Sequence, residues 1–352
     1  MNKPKQLRYL IPVLLLLGGS LFALFKKTPW AEVLRQIKDA NALFILIAVF
    51  LMGLFFLCEA LSLKQLFGHF QYKTPLRRTY GYALIDFYYS GITPGASGGQ
   101  PAQIFYMSRD NIEPGIASVS LLCFNLSYHI SALLIGLFGM IHSFDILKGH
   151  RIITLLLIYG LLAQLVLVVL FSALLIHEKI VKRFLQGLLG LLSHLHLVKR
   201  KTHWEEKINT QISEFKRAST ALREKPTLLL KTVVLTTLHL ILFYSIPYLM
   251  LRAFHFDVNY LDLLTLQACL QLAMESLPIP GGLGVTEASF LRLYGSLIGG
   301  EKIVSILLLS RMISYSLGLI SGGILSLIMV ASPRKLKRYP QGVRIEHVDE
   351  KF

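Results

Sequence analysis

Long apolar runs separated by short polar segments make up most of the chain. A transmembrane helix needs about 20 largely apolar residues, and runs of about that length predict spans at residues 9–25, 41–63, 116–141, 152–176, 226–252, 261–278 and 303–330. Two shorter apolar pieces, 81–92 and 285–299, each adjoin a cluster of prolines and glycines, which predicts two broken, re-entrant hairpins. The predicted fold class is an all-α polytopic membrane protein with about seven to eight spanning helices plus these hairpins.

The first apolar run, 9–25, follows the basic residues Lys3, Lys5 and Arg8, which is also the form of a signal peptide. No small-x-small cleavage motif stands out after this run, and the rest of the chain is polytopic. An uncleaved first span is therefore the preferred interpretation.

The composition supports a membrane protein. Of the 352 residues, 54% are hydrophobic and 16% are charged, whereas soluble domains carry about 25% charged residues. The formal net charge of +16 would suit a nucleic-acid partner, but the basic residues cluster beside apolar runs, as in loops that face an anionic membrane surface, and no nucleic-acid-binding motif is present. Cys58, Cys123 and Cys269 lie far apart inside apolar runs. They predict small core residues, with no disulfide, metal site or cofactor.

The distribution of Lys and Arg orients the predicted spans. With the N-terminus in the cytoplasm and both hairpins re-entrant, far more Lys and Arg residues fall inside than outside, as the positive-inside rule requires. The first hairpin would then enter from the cytoplasm and the second from outside, which predicts an inverted repeat like those of many transporters. The expected location is the cell membrane, with multiple passes and both termini in the cytoplasm.

This topology divides the chain into two parts. Residues 1–330 are predicted to form one membrane domain, in which 177–225 is an amphipathic connection on the cytoplasmic surface. Residues 331–352 are predicted to be a basic cytoplasmic tail.

The second proline–glycine cluster lies within LPIPGGLGVTEASF, Leu277–Phe290. Its prolines cannot continue a helix, and its glycines, Gly281, Gly282 and Gly284, allow tight or left-handed backbone. Such backbone is tolerated at membrane depth only where it is buried in protein or lines a polar cavity. A helix that restarts after Gly284 would point free N–H groups into the membrane interior, where they can bind a phosphate. The alternative is a tight turn between two helices.

The first cluster, TPGASGGQPAQIFYMSR (Thr93–Arg109), has the same form. The residues predicted to contact an anionic group there lie at or just after a helix start: Ser97, Gly98, Gly99, Gln100 and Gln103. A tight turn is again the alternative, but two clusters, each joined to a short apolar arm, favour two functional broken helices. Asp86 and Glu275 precede the clusters and are further candidates for a polar pathway.

Two charged residues complete the predicted site. Glu287 falls in the first turn after the second cluster and is interpreted either as a helix cap or as a contact for a cationic head group or a coupling proton. Arg311 lies about 12 Å along a helix that begins near Ile303, too deep for easy snorkelling. Its expected partner is Glu287 or a lipid phosphate, and a purely structural ion pair is the alternative. Thr286 and Tyr315 are the remaining predicted binding residues, and no catalytic residue or metal ligand is predicted.

Together these motifs resemble a known family. PGASGGQPAQ, followed roughly 180 residues later by PGGLGVTEA and then by Arg311, is similar to the membrane region of lysylphosphatidylglycerol synthases. The resemblance implies a flippase for aminoacylated phospholipid. In full-length members a separate cytoplasmic domain transfers lysine from lysyl-tRNA to phosphatidylglycerol, and such proteins contribute to resistance against cationic antimicrobial peptides. This chain ends soon after the last predicted span, so the transferase domain is not expected here.

The predicted function is flippase-like movement of a polar-headed phospholipid or lipid-linked substrate across the bilayer, with lysylphosphatidylglycerol as one candidate. GxSxG, P-loop and HExxH motifs are absent, so a lysyltransferase label follows from resemblance only. One alternative is a membrane component of phosphatidylglycerol lysyltransferase activity that acts with a separate catalytic partner. The other is a non-transporting membrane scaffold. Expected partners are the lipid and the membrane, with nucleic acid only as lysyl-tRNA through such a partner; a homo-oligomer stays open.

Overall fold

The computed structural model of the chain describes residues 30–149, 151–177, 201–275, 284–300 and 302–331, with residues 180, 182, 183 and 187 between them. Its helices are, in chain order, α1 (Trp30–Lys38), α2 (Ala42–His69), α3 (Leu76–Gly91), α4 (Gly99–Arg109), α5 (Pro114–His142), α6 (Phe144–Leu147), α7 (Arg151–Ile176), α8 (Lys201–Arg223), α9 (Pro226–Tyr244), α10 (Ile246–Ala253), α11 (Tyr260–Glu275), α12 (Val285–Ile298), α13 (Ile303–Arg311) and α14 (Leu317–Ala331). A 3-10 turn, Pro94–Ala96, precedes α4, and a π-helical turn, Met312–Ser316, joins α13 to α14. The predicted span 9–25, most of the segment 178–200 and the tail 332–352 lie outside the described residues.

The described residues contain five helices that are long and apolar enough to cross a bilayer: Ala42–His69, Pro114–His142, Arg151–Ile176, Pro226–Ala253 and Ile303–Met329. On α7, large apolar side chains such as Leu162, Val166 and Val169 are exposed, which is favourable where the surrounding solvent is lipid hydrocarbon. The prediction of an all-α polytopic membrane protein is therefore confirmed.

The first hairpin consists of α3 and α4, which pack against each other. At its base, Arg78 near the start of α3 pairs with Asp110 just after α4, with Nε–Oδ2 and Nη2–Oδ1 distances of 2.5 and 2.6 Å. Tyr82 also donates its hydroxyl to Asp110, at 2.5 Å. Because residues 32 positions apart meet at the base, the chain enters and leaves this hairpin on the same side.

The second hairpin consists of α11 and α12. The hydroxyl of Tyr294 in α12 donates to Oε1 of Gln267 in α11 at 2.9 Å, which joins the two arms. At 16 residues, α11 is about 24 Å long, less than the roughly 30 Å of a bilayer core. This helix covers residues 261–275 of the predicted span 261–278 and is one arm of this hairpin; residues 276–278 lie outside the described residues.

The two hairpins open to opposite faces. The base of the first lies on the α8 face, which we define as α8 together with the helix ends that contact it. The end of α2 contacts α8 through His69, whose Nε2 is 3.3 Å from the carbonyl oxygen of Ala221. The start of α5 contacts it through Gly115, whose N–H donates to Gln211 at 3.0 Å. The base of the second lies on the α1 face, where α1, the end of α5 and the starts of α11 and α13 meet. There His142 contacts Asp262 at 2.7 Å, and Ser305 donates to Gln36 at 2.6 Å.

The two halves of the described chain repeat the same order of elements. Each half has a long helix of 28 residues (α2; α9 with α10), a short arm of 16 residues (α3; α11), a break, a second arm of 11 or 14 residues (α4; α12) and a long closing helix (α5; α13 to α14). The arms also pack across the two halves. In the first half α3 packs against α14 of the second, and in the second half α11 packs against α5 of the first, while the long helices α2 and α9 pack against each other. Since the hairpins open to opposite faces, the halves form an inverted repeat.

Glycines hold each hairpin arm against a long helix. A Cβ at Gly322 of α14 would lie 2.3 Å from the carbonyl oxygen of Leu84 in α3, and a Cβ at Gly160 of α7 would lie 2.3 Å from the carbonyl oxygen of Leu272 in α11. Small residues permit this close approach of membrane helices. The neighbouring atoms are backbone, so they cannot rotate away from a side chain.

Gly322→Ala is therefore expected to lower the free energy of unfolding by about 1–3 kcal/mol, because the methyl group forces α14 away from α3. Gly53→Ala, inside α2, is the matched control. Nothing lies within 4 Å of its Cβ position, so the better helix propensity of alanine should stabilise the protein by about 0.5–1 kcal/mol. Thermal unfolding of the purified protein in detergent measures both effects. Equal midpoints for the two variants would contradict this packing.

Candidate functional site

Gly284 begins the returning arm of the second hairpin. Its φ of 86° lies in the left-handed region that glycine adopts without steric cost. Its backbone N–H donates to Oε2 of Glu287 at 2.5 Å, so the glutamate three residues into the turn reaches back to satisfy the first free donor of α12. The helix-cap interpretation of Glu287 therefore describes one of its two contacts.

The other contact of Glu287 is an ion pair with Arg311. Nε of Arg311 lies 2.9 Å from Oε1 of Glu287, and the side chains are 23% and 8% exposed, respectively. Each carboxylate oxygen of Glu287 consequently has its own donor. The pair joins α12 to α13 within the membrane-spanning part of the molecule, where an isolated charge costs about 2.5–3.5 kcal/mol on insertion scales.

A change of helix type follows Arg311 directly. The residues Met312–Ser316 form a π-helical turn between α13 and α14. Such turns are rare and are frequently found at functional sites, because the extra residue per turn rotates the side chains before and after it relative to one another. Here the turn carries Tyr315, whose ring centroid is 5.7 Å from Cζ of Arg311.

Tyr315 connects this pair to the first hairpin. Its hydroxyl donates to the carbonyl oxygen of Gly91, the last residue of α3, at 2.9 Å, and its ring packs near Phe87 at a centroid distance of 6.3 Å. A continuous set of contacts thus runs from Gly91 at the end of α3 through Tyr315 and Arg311 to Glu287 and Gly284 at the start of α12.

A partly open cavity lies beside the ion pair. Its enclosed volume is about 30 Å³, room for about one water molecule. Its polar lining comes from α11, α12, α13 and the π-helical turn: Gln267, Gln271, Thr286, Ser310, Arg311 and Ser314. Apolar side chains complete the wall: Phe243, Pro247, Phe290 and Leu307. The cavity therefore offers hydroxyl, amide and guanidinium groups inside an apolar surround.

Two donors at this cavity have no hydrogen-bond partner among the residues that the structure describes. They are Oγ of Ser310, whose residue is 5% exposed, and Nη2 of Arg311. A buried polar group without a partner costs about 1–3 kcal/mol. Such groups beside a cavity are therefore candidates for contact with a ligand.

The first cluster is arranged differently. The 3-10 turn Pro94–Ala96 leads into it, and the N–H of Gly98 donates to Oγ1 of Thr93 at 2.8 Å. Ser97 is exposed, and Gln100 is partly buried. Because Thr93 already satisfies Gly98, and because Pro101 has no N–H, fewer free donors remain at this helix start than the sequence predicted.

A carboxyl group also lies at this helix start. A Cβ on Gly99 would be 2.3 Å from Oδ1 of Asp86 and 2.1 Å from Oγ of Ser90, so these side chains pack directly on the glycine. Gln103, one turn later, is 1% exposed and donates to Oε1 of Glu59 at 2.8 Å. This surrounding is acidic, so an anion would meet carboxyl groups there.

The predicted binding residues therefore fall into two groups. Thr286 and Arg311 line the cavity, and Arg311 contacts both Glu287 and Tyr315, while Gly284 donates to Glu287. Ser97, Gly98, Gly99, Gln100 and Gln103 lie on the first hairpin, and the described contacts of Gln103 run to Glu59 and Tyr82. Gly281 and Gly282 lie outside the described residues.

Several residues that line the cavity were not among the predicted binding residues. Gln267 and Gln271 share one face of α11 at helical spacing, a signal visible in the sequence as two amides four residues apart in an apolar helix. Ser310 precedes Arg311, and Ser314 follows one turn later, where the sequence favours close helix packing as the simpler interpretation. The π-helical turn has no clear sequence signal.

The spans and hairpins define an all-helical integral membrane protein with an inverted internal repeat and a polar site between the start of α12 and the end of α13. Residues 9–322 match the family described as "Lysylphosphatidylglycerol synthase TM region", and the chain belongs to this family. It is also 24% identical over 304 residues to a protein of Archaeoglobus fulgidus described as "UPF0104 membrane protein", an alignment that covers 86% of this chain and 91% of that relative.

Proposed function

We propose that this protein moves a polar-headed phospholipid or lipid-linked substrate across the bilayer. The observation that carries the proposal is the Glu287–Arg311 pair beside a polar cavity within the membrane-spanning part. A purely structural ion pair would account for the burial of both charges. It would not account for the adjoining cavity or for the buried donors of Ser310 and Arg311 that have no partner in the described part of the chain.

The inverted repeat supports a transport mechanism. In transporters built this way, substrates bind at broken helices and access alternates as one half moves against the other. Here the hydrogen bond from Tyr315 to Gly91 joins the second half to the tip of the first hairpin. We propose that this contact opens and closes as the halves move, so that the head group passes the cavity while the acyl chains stay in lipid.

The partner-dependent alternative rests on the family to which the chain belongs, since its description names a synthase. In that case the membrane protein would handle a lysyl lipid together with a separate transferase chain. A soluble transferase that copurifies stably with the protein would favour this alternative. The scaffold alternative predicts no lipid movement and tolerance of substitutions at Glu287 and Arg311.

Lipid movement in proteoliposomes tests the proposal. Phosphatidylcholine vesicles would contain a trace of lipid labelled on a short acyl chain, so that the head group stays intact, with phosphatidylglycerol, phosphatidylethanolamine and lysylphosphatidylglycerol in separate preparations. A membrane-impermeant reductant then destroys the fluorescence of labels in the outer leaflet. We expect the destroyed fraction to rise from about half toward all of the label, because flipped lipid becomes accessible. The same plateau in vesicles with and without protein, for every lipid, would contradict the proposal.

We further propose that the α8 face is cytoplasmic, because Lys216, Arg217, Arg223 and Lys225 concentrate there. In intact cells, a membrane-impermeant maleimide should then label Lys148→Cys, before α7, and leave Lys216→Cys, on α8, unlabelled until the membrane is opened. Both lysines are exposed, and the native cysteines are buried, so background labelling should be low. Labelling of Lys216→Cys but not of Lys148→Cys in intact cells would show that the α8 face lies outside the cell.

A further inference from the structure

The short helix α1 carries two large apolar side chains that the fold leaves more than half exposed. Trp30 is 57% exposed and Leu34 is 53% exposed, and their spacing of four residues places them in one row along the helix. The neighbouring row is packed, because Val33 is 1% exposed and Ile37 packs against the hydrophobic core. The apolar side of α1 is therefore wider than the part that the protein covers.

Contacts of α1 place it at the level where three spans end. The N–H of Asn41, between α1 and α2, donates to the carbonyl oxygen of Ala253, the last residue of α10, at 2.8 Å, and α2 begins at the next residue, Ala42. Ser305, near the start of α13, donates to Gln36 of α1 at 2.6 Å. Because helices that cross a bilayer end near its head-group layer, these contacts put α1 at that depth.

The lipid-facing surface of α2 begins directly after α1. Leu43, Leu46 and Phe50 are all more than half exposed, as expected of side chains in contact with acyl chains. On α1 itself, Lys38 is exposed one turn after Leu34, so the exposed row ends in an ammonium group. A row with a tryptophan at one end and a cation at the other is typical of helices that lie at the membrane–water interface.

We infer that α1 lies in the head-group layer of the bilayer at the α1 face. The partner of its exposed row is the phospholipid bilayer itself: Trp30 and Leu34 contact the glycerol region and the upper acyl chains, and Arg35 and Lys38 attract lipid phosphates. Through its hydrogen bond with Ser305, α1 then holds the start of α13 at a fixed depth. This role of α1 does not depend on lipid movement.

Fluorescence quenching tests this location, because the chain contains two tryptophans. Trp204→Phe leaves Trp30 as the single tryptophan of the full chain. The variant is reconstituted into phosphatidylcholine that carries bromine, a contact quencher, near the carbonyl end of the acyl chain, at its middle or near its terminal methyl. We expect the largest loss of Trp30 fluorescence with bromine near the carbonyl end and a smaller loss at each deeper position, because interfacial tryptophans lie at head-group level.

The matched control is Phe50→Trp in a chain that also carries Trp30→Phe and Trp204→Phe. Phe50 is exposed to a similar degree as Trp30 and lies about 12 Å along α2 from Ala42, near the middle of a hydrocarbon core of about 30 Å. Its fluorescence loss should be greatest with bromine near the terminal methyl. Gel filtration in detergent establishes that each variant is folded before reconstitution.

A nitroxide label at Leu34→Cys tests the same depth without a change at either tryptophan. The native cysteines are buried, so labelling should be specific. Oxygen, which concentrates among the acyl chains, and a water-soluble nickel chelate each relax the label according to their access to it. The ratio of the two effects at Leu34→Cys should lie between that of Leu162→Cys, exposed near the middle of α7, and that of Lys148→Cys, exposed in the turn before α7.

Three results would overturn the interfacial location of α1. Strongest quenching of Trp30 by bromine near the terminal methyl would place α1 inside the hydrocarbon core. Quenching by aqueous iodide without loss in any brominated lipid would place Trp30 in water. No loss with either quencher would show that protein, such as a second copy of the chain, covers Trp30. Each of these measurements gives its answer whether or not the protein moves lipid.

Discussion

Glu287→Gln is expected to reduce lipid movement in proteoliposomes to the level of protein-free vesicles. The amide oxygen can still accept from the N–H of Gly284, so the start of α12 stays capped. Arg311 loses its counter-charge, however, and its guanidinium is no longer held beside the cavity. Breaking a buried ion pair by removing one partner costs about 3–5 kcal/mol, and the 23% exposure of Arg311 places this loss near the lower end, about 3 kcal/mol.

Two measurements accompany the transport assay of Glu287→Gln. Thermal unfolding reports the loss of stability, and gel filtration reports whether the variant is folded. The matched control is Glu32→Gln, because Glu32 forms an exposed pair with Arg35 at 2.8 Å on α1; neither transport nor the thermal midpoint should change measurably. If folded Glu287→Gln moves lipid at the wild-type rate, the pair is structural and lipid movement does not depend on it.

A charge exchange separates the two roles of this pair further. In Glu287→Arg combined with Arg311→Glu, opposite charges again face each other between α12 and α13, so part of the lost stability should return. The carboxylate would then line the cavity, and the cap on Gly284 would be lost. We therefore expect no recovery of lipid movement. Restored movement in the double variant would show that only the attraction between the charges matters.

Asp110→Asn is expected to destabilise the base of the first hairpin by about 3–5 kcal/mol. Asp110 is fully buried, accepts two hydrogen bonds from Arg78 and accepts a third from Tyr82. The amide cannot accept all three, and it leaves the guanidinium of Arg78 without a counter-ion. Since this pair fixes where α4 ends relative to where α3 begins, lipid movement should fall together with stability.

Thermal unfolding in detergent measures this effect against Asp145→Asn. Asp145 forms a pair with Lys148 of similar length but at an exposed position, so its loss should leave the midpoint unchanged. Arg78→Met combined with Asp110→Leu should recover much of the lost stability, because well-packed apolar residues often replace a buried pair without cost. Equal midpoints for Asp110→Asn and Asp145→Asn would mean that the buried pair does not hold the hairpin closed.

Hydropathy predicted the elements of this fold well, because insertion into lipid depends on the summed apolarity of about 20 residues in sequence. The predicted spans 41–63, 116–141, 152–176, 226–252 and 303–330 each lie on one of the five long helices that the structure describes. Proline and glycine placement located the break between α3 and α4, since the backbone consequences of these residues are local. The predicted span 261–278 coincides with α11 as far as the structure describes it, and its role as a hairpin arm follows from its packing against α12, which hydropathy does not register.

In the sequence, the inverted repeat was predicted from two similar proline–glycine clusters whose hairpins should enter the membrane from opposite faces. In the structure it is evident from the helix lengths and from the exchanged packing of α3 on α14 and of α11 on α5. Many apolar residues can face lipid or pack between helices equally well, so two halves can keep one architecture while little of their sequence corresponds.

Sequence spacing was sufficient to select Glu287 and Arg311, because each is an ionisable residue in an apolar segment, where such a residue needs a partner. Only the tertiary structure decided that the two pair with each other, that Tyr315 links them to Gly91, and that Ser310, Gln267 and Gln271 line the same cavity. The tertiary structure also decided that Gln103 donates a hydrogen bond to Glu59 and that Arg78 donates to Asp110. The physical reason is that hydropathy depends on neighbours along the chain, whereas the choice of a polar partner depends on how each helix is rotated and packed against helices distant in sequence.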